Sequence, residues 1–269
     1  MSNSPQSLAL VGAGKMGAAL LGGWLVAGLE PRRISVYEPQ PADAILELAF
    51  EKGFALNPAP AHAEAVVLAI KPQMLESAAP ELAPLFGADS LLISILAGKT
   101  LENLGARLPA HAIVRAMPNT PASIGRGITG AFASAATSQA QRAQADFLLG
   151  GVGAVEWVDS ESLIDVVTAI SGSGPAYVFH LVEALAQAGA ALGLPDDLAL
   201  RLARATVEGS GELLHLSPEI PAGILRKNVT SPGGTTQAAL DVLMAPDGLA
   251  ALMGRATAAA ARRAGELSG

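Results

Sequence analysis

The sequence predicts an α/β domain built on a mainly parallel sheet, followed by an all-helical domain. Three observations carry this. Short apolar runs alternate with helical patterns through residues 1–159, a G-x-G-x-x-G turn joins the first run to the first helix, and beyond Asp159 only helical periodicity remains. Strands alternating with helices imply right-handed crossovers, which leave the strands parallel. The expected division is residues 1–159 for the sheet domain and 160–269 for the helical one.

Ser7–Val11 reads as the first strand, Met16–Val26 as the first helix with Gly28 as its stop, and Ile34–Tyr37 as the second strand. A helix near Pro41–Glu51 follows. Val66–Ile70, Leu91–Leu96, Ala112–Met117, Ile128–Ala133 and Ala154–Val158 are further strands. Unbroken apolar runs such as Val66–Ile70 fit strands buried on both faces. In the second domain the helices are expected at Ser160–Ile170, Pro175–Leu192, Asp196–Leu216, Pro218–Lys227, Thr235–Met244 and Asp247–Glu266. Gly172, Gly174, Gly193, Pro195, the Pro232-Gly233-Gly234 turn and Pro246 punctuate them.

With 269 residues, 51% of them hydrophobic and 15% charged, the chain can fill a sizeable core and is not a disordered sequence. The net charge of −7 and the lack of any basic run argue against nucleic acid or an anionic membrane as partner. No cysteine is present, which excludes disulfides, thiolate metal sites and a cysteine nucleophile and fits a cytoplasmic protein. The segment Met1–Ser7 has no basic residue, so no secretory signal is expected, and no apolar stretch reaches membrane-spanning length. A mean hydropathy of +0.41 points to helices buried at a subunit interface.

The turn Gly12-Ala13-Gly14-Lys15-Met16-Gly17 lies between a strand and a helix, the context of a Rossmann dinucleotide-binding domain. Gly12 permits the tight turn, Gly14 lets backbone approach a diphosphate, and Gly17 lets helix and strand pack closely. Read by itself, the pattern is also a plain glycine-rich turn. Glu38 ends the second strand, where an acid accepts hydrogen bonds from the adenosine ribose and disfavours a 2′-phosphate. Arg32 and Arg33 precede that strand and read as solvated turn charges.

Four further segments stand out. Leu68-Ala69-Ile70-Lys71-Pro72-Gln73 and Arg115-Ala116-Met117-Pro118-Asn119-Thr120-Pro121 each close a strand. Ser171-Gly172-Ser173-Gly174-Pro175-Ala176-Tyr177 and Ser231-Pro232-Gly233-Gly234-Thr235-Thr236 each open a helix. In this order, behind the glycine turn, they make the chain resemble the 1-pyrroline-5-carboxylate reductase family over nearly its whole length. The resemblance implies reduction of a five-membered cyclic imine carboxylate to L-proline by hydride from NADPH or NADH.

It also implies site residues. Besides the glycine turn and Glu38, the cofactor contacts carried over are Asn57, Ala69, Lys71, Pro72, Ala97, Met117, Pro118, Asn119 and Asn228. Glu219, Ser231, Gly233, Gly234, Thr235 and Thr236 fall to the substrate. Thr236 is the residue that would hydrogen-bond the ring nitrogen, as an orienter rather than an acid. From the residues alone, Lys71 is equally a solvated loop lysine, Met117–Asn119 a stiff connection, and Ser231–Thr236 an ordinary helix cap. Glu219 alone reads as a first-turn helix acid and Asn228 as a loop residue. Ser171–Pro175 reads mainly as structure, its small residues allowing close helix crossing.

The four histidines, His62, His111, His180 and His215, have no ligand spacing, so no metal site is expected, and Asp241 reads as a surface charge. The resemblance further implies that the helical domain is a dimerisation domain, giving a homodimer able to assemble further. Two other readings stand beside this one. One is another reductase of the same architecture, acting on a different cyclic imine or on a 3-hydroxy acid, although a hydroxy-acid enzyme would need a lysine on the first long interdomain helix and Pro175–Leu192 has none. A non-catalytic dinucleotide sensor would bind cofactor without turnover.

Overall fold

The computed structural model describes residues 3–268. Met1 and Ser2, which begin the segment weighed as a signal, and Gly269 lie outside the described residues. The elements run β1 (Leu8–Val11), α1 (Lys15–Val26), β2 (Ile34–Tyr37), α2 (Asp43–Lys52), β3 (Ala55–Leu56), β4 (Ala65–Leu68), α3 (Leu75–Leu82), β5 (Leu91–Ser94), α4 (Leu101–Gly105) and β6 (Ala112–Met117). They continue as β7 (Gly127–Ala133), α5 (Gln139–Gly150), β8 (Gly153–Trp157), α6 (Leu163–Val167), α7 (Gly174–Ala191), α8 (Asp196–Leu216), α9 (Ala222–Asn228), α10 (Thr235–Leu243) and α11 (Leu249–Ser268).

One sheet takes the order β3-β2-β1-β4-β5-β6-β7-β8. Every pairing is parallel except β6 with β7. Chain order reverses between β1 and β4, so their carboxyl ends flank the topological switch point, where sheets of this kind bind ligands. The period of two in each strand divides its side chains between two cores. Leu8, Leu10, Ala65, Val67, Leu91 and Ile93 enter one, and Ala9, Val11, Val66, Leu68 and Leu92 enter the other. Both faces are therefore covered, which is why these runs are apolar without alternation. Trp24 of α1 is fully buried, and its indole N–H donates to the Leu148 carbonyl of α5 at 2.6 Å.

The chain forms two compact units: residues up to Ser173 together with those from Ala260 onward, and Gly174–Ala259. The expected division at 159/160 thus differs from the division into compact units. Residues 160–173 stay with the sheet because Arg115, in the middle of β6 and buried, pairs with Glu161 at 3.2 Å and Asp165 at 2.9 Å. A β-carbon added to Gly130 of β7 would lie 2.5 Å from the Val167 side chain, so α6 sits hard against the strand. The helix expected at Ser160–Ile170 is α6 followed by a π-helical turn, Thr168–Gly172.

In the second unit α7 and α8 pack as a helical hairpin around Gly193, whose φ is +100°. A β-carbon added to Gly189 would sit 3.3 Å from Ala199, and Ala199 and Ala203 are this unit's buried hydrophobic residues among those described. Phe179, Leu216 and Val242 are 62%, 68% and 71% exposed. The helix expected at Pro218–Lys227 begins only at Ala222, because Pro221 takes an extended ψ of 138° as its cap. Glu219 therefore lies in an exposed turn and not in a first helical turn.

Candidate active site

The glycine turn sits past β1. Gly12 has φ +94°, and its N–H donates to the Tyr37 carbonyl of β2 at 2.8 Å. A β-carbon there would fall 2.7 Å from the Ala69 carbonyl oxygen, so Ala69 backbone is the wall behind the turn. A β-carbon on Gly17 would fall 2.1 Å from the Gly12 carbonyl oxygen. Both glycines are dictated by contact. Gly14 is different: nothing lies within 4 Å of the β-carbon it lacks, and Gly14 and Lys15 are exposed.

Gly14 also caps α1 with no side-chain hydrogen bond and no acid in the first turn. The open backbone N–H groups and the positive end of the helix dipole are left facing that space, an arrangement that fits a dinucleotide diphosphate. Met16 packs its side chain against the core, so it offers a ligand its backbone.

Glu38 follows β2 and turns back to this loop. Its Oε2 accepts the Ala13 N–H at 2.9 Å and its Oε1 the Gln40 N–H at 3.1 Å. Asn57 holds the same residue from the other side. Its Oδ1 accepts the Glu38 N–H at 2.8 Å and its Nδ2 donates to the Glu38 carbonyl at 2.9 Å. Arg32 and Arg33 both pair with Glu30, at 2.5 and 3.3 Å. The hydrogen bond and charge of Arg32, helped by Arg33, hold the Glu30 carboxyl below the usual carboxylate range.

The remaining cofactor candidates of the sheet unit follow other strands. Ala69, Lys71 and Pro72 follow β4, Ala97 follows β5, and Pro118 and Asn119 follow Met117 at the end of β6. Strands β1, β2, β4, β5 and β6 run parallel, so all these turns share the carboxyl edge of the sheet. Lys71 and Ala97 are exposed, while Met117, Pro118 and Asn119 are buried. Asn119 Oδ1 accepts the Ile128 N–H at 3.0 Å, which anchors the turn to β7.

Sequence reasoning missed the ion-pair group beneath this turn. Glu161 Oε1 accepts both Arg115 and the Leu101 N–H, at 3.2 and 2.7 Å, linking β6, α4 and the chain before α6. The available signal was an arginine inside an apolar strand run, since a buried charge needs partners. A β-carbon on Gly172 would lie 3.6 Å from the Met117 side chain, which gives this glycine a packing role beside the same turn.

In the helical unit Gly234 caps α10 with φ −84° and ψ 175°, again with no side-chain hydrogen bond and no acid in the first turn. Gly233 has φ +67°, and the Gly234 N–H closes the turn on the Ser231 carbonyl at 3.0 Å. Ser231 and Thr235 are exposed and Thr236 is half-buried. The start of α10 thus offers backbone N–H groups and hydroxyls to a small anion. Asn228 ends α9 and is exposed, as is Glu219. Among the described residues no group of three His, Cys, Asp or Glu side chains could hold a metal ion, and no helix is long and apolar enough to cross a membrane. Asp241 accepts from Gln237 one turn away on the surface of α10.

Comparison with known proteins finds two family matches along the chain. Residues 161–267 match the family described as "Pyrroline-5-carboxylate reductase dimerisation", and residues 7–98 match "NADP oxidoreductase coenzyme F420-dependent". The pyrroline-5-carboxylate reductase of Pseudomonas aeruginosa is 41% identical over 269 residues, covering 98% of each chain. That of Synechocystis is 41% identical over 97% of each. A solved pyrroline-5-carboxylate reductase from Coxiella burnetii superposes with a TM-score of 0.90 at 36% identity, over 98% of this chain and 99% of that one. The Plasmodium falciparum enzyme, solved with NADP bound, gives 0.80 at 27% identity over 98% of each chain.

Proposed function

Because this chain belongs to the pyrroline-5-carboxylate reductase family, we propose that it reduces 1-pyrroline-5-carboxylate to L-proline with NADPH or NADH, the last step of proline biosynthesis. The observation that carries the reading is the uncapped start of α10, glycine-formed and threonine-bearing, in a chain whose other glycine turn fits a diphosphate. The reaction adds a hydride to the imine carbon and a proton to the ring nitrogen. The nicotinamide supplies the hydride when bound.

The chain's own residues bind and orient. Gly12–Gly17 hold the diphosphate on backbone N–H groups, and Glu38 meets the adenosine ribose and favours NADH over NADPH. Ala69, Lys71, Pro72 and Ala97 line the cofactor along the sheet edge, Met117, Pro118 and Asn119 bound the nicotinamide end, and Asn228 is a further cofactor contact. Ser231, Gly233, Gly234 and Thr235 take the substrate carboxylate at the helix start, where no cationic side chain is needed. Glu219 lies on the substrate side. The Thr236 hydroxyl hydrogen-bonds the ring nitrogen and fixes the imine; it is too weak an acid to be the proton source, which is solvent or an already protonated imine. Catalysis is then mainly positioning and exclusion of water.

The active form is a homodimer made by the helical unit, and such dimers can assemble further. The exposed Phe179, Leu216 and Val242, in a unit whose buried hydrophobic residues among those described are Ala199 and Ala203, support this. A cysteine-free chain suits a cytoplasmic enzyme.

The test is oxidation of NADH and of NADPH by the purified protein with 1-pyrroline-5-carboxylate. Turnover is expected with both, faster with NADH; cofactor binding without turnover would sink the assignment. Thr236→Val should lower kcat/KM for the imine at least tenfold, the worth of one well-placed hydrogen bond, while leaving cofactor affinity unchanged. Unchanged kinetics would remove Thr236 from the reaction.

A further inference from the structure

Asn57 is exposed, yet its side chain is fully committed to one neighbour. Both groups of its amide bond the backbone of Glu38, the acceptor taking the N–H and the donor meeting the carbonyl. Its own N–H donates to the Val36 carbonyl at 2.7 Å, so the residue continues the pairing of β3 with β2 by one further rung. To reach this position it adopts φ +49°, the one left-handed non-glycine residue among those described. Asparagine and glycine tolerate that region best, and other side chains meet their own carbonyl there.

The consequence falls on Glu38. With its backbone clamped by Asn57, its carboxylate is held between the Ala13 and Gln40 N–H groups at the rim of the glycine turn. A carboxylate fixed there presents negative charge at one place, and repulsion of a 2′-phosphate depends steeply on place. We infer that Asn57 is a positioning residue for cofactor selectivity: through its clamp on Glu38 it discriminates between the unphosphorylated and the 2′-phosphorylated adenosine ribose. This rests on the reading that Glu38 faces that ribose.

The test uses ligands that report the adenosine end without turnover. Calorimetry gives the Kd of ADP-ribose and of 2′-phospho-ADP-ribose for the full chain, and their ratio cancels any inactive fraction. Asn57→Gly keeps the left-handed backbone while removing the clamp, and should shift the ratio about tenfold toward the phosphorylated ligand, the scale of one lost hydrogen bond. Glu38→Ala should shift it further in the same direction. Asn57→Gly added to Glu38→Ala should then shift it no more, because residues acting through one another do not add.

If Glu38→Ala leaves the ratio unchanged, the role of Glu38 fails and the inference goes with it. If Glu38→Ala shifts the ratio but Asn57→Gly does not, or if the two shifts add, Asn57 does not act through Glu38 and the inference alone is overturned.

Discussion

Two helices of this molecule begin in the same way, and their surroundings make them different sites. Both α1 and α10 are capped by a glycine in extended conformation, Gly14 and Gly234, with no side-chain cap and no acid in the first turn. At α1 the turn is wedged: Gly12 and Gly17 touch backbone on the positions their β-carbons would fill. At α10 the turn is looser: nothing lies within 4 Å of the β-carbon that Gly233 lacks, the one Gly234 lacks would meet only the turn's own Ser231, its carbonyl oxygen at 3.1 Å, and hydroxyls stand where α1 has Lys15 and Met16. An uncapped helix start attracts an anion wherever it occurs. The rigidity of the wall and the side chains beside it decide whether that anion is a diphosphate held by backbone or a single carboxylate held beside a hydroxyl.

The largest effects should come from the wedged turn. Gly17→Ala puts a β-carbon 2.1 Å from a carbonyl oxygen that cannot retreat without moving β1, so both folding and ADP-ribose binding should suffer, with affinity down at least a hundredfold. Gly14→Ala separates the two. Its φ of −66° suits alanine and its neighbourhood is empty, so the melting temperature should stay within a few degrees. Binding should still fall about tenfold or more, because the methyl group occupies the space where backbone approaches the diphosphate. If Gly14→Ala binds ADP-ribose normally, the diphosphate does not sit there.

The looser turn should respond less. Gly233→Ala meets no atoms but must keep φ +67°, a strain of about 1–2 kcal/mol. The expected result is a lower melting temperature and a KM for the imine raised up to about tenfold, with cofactor affinity untouched. An unchanged KM would detach the turn from the substrate.

The same contrast explains what was legible beforehand. The apolar runs of β1, β4, β5 and β6 and the glycine turn are local patterns, and each lies within two or three residues of its expected place. The strand at Ile128–Ala133 was likewise placed, as β7, but its antiparallel pairing was not, since direction is set by the partner strand, and the two-residue β3 was missed because it has no period. Nor was α5 placed, although Ser138 and Gln141 form a capping box that the sequence displays. The Arg115–Glu161–Asp165 group could be suspected from a charge in an apolar strand, but its partners lie 46 and 50 residues away and only the fold names them. Likewise Glu38 was legible as an acid at a strand end, whereas the Asn57 clamp, 19 residues on, was not. Local pattern set the elements; long-range contact set the unit boundary and the supports of the site.

The smallest expected effect is the most discriminating for α10. Thr235→Glu adds a negative charge in the first turn of a helix that has none. The helix dipole should welcome it, with about 0.3–1 kcal/mol of added stability at low salt. A substrate carboxylate bound at the same N–H groups should be repelled, so KM for the imine should rise several-fold, and both effects should shrink as salt is added. An ordinary helix cap predicts only the first change. A melting temperature that rises while KM stays fixed would mean that the helix start is structural, and the carboxylate would have to be sought elsewhere. Opposite movements of stability and affinity, both fading with ionic strength, are what an anion site built from a bare helix terminus requires.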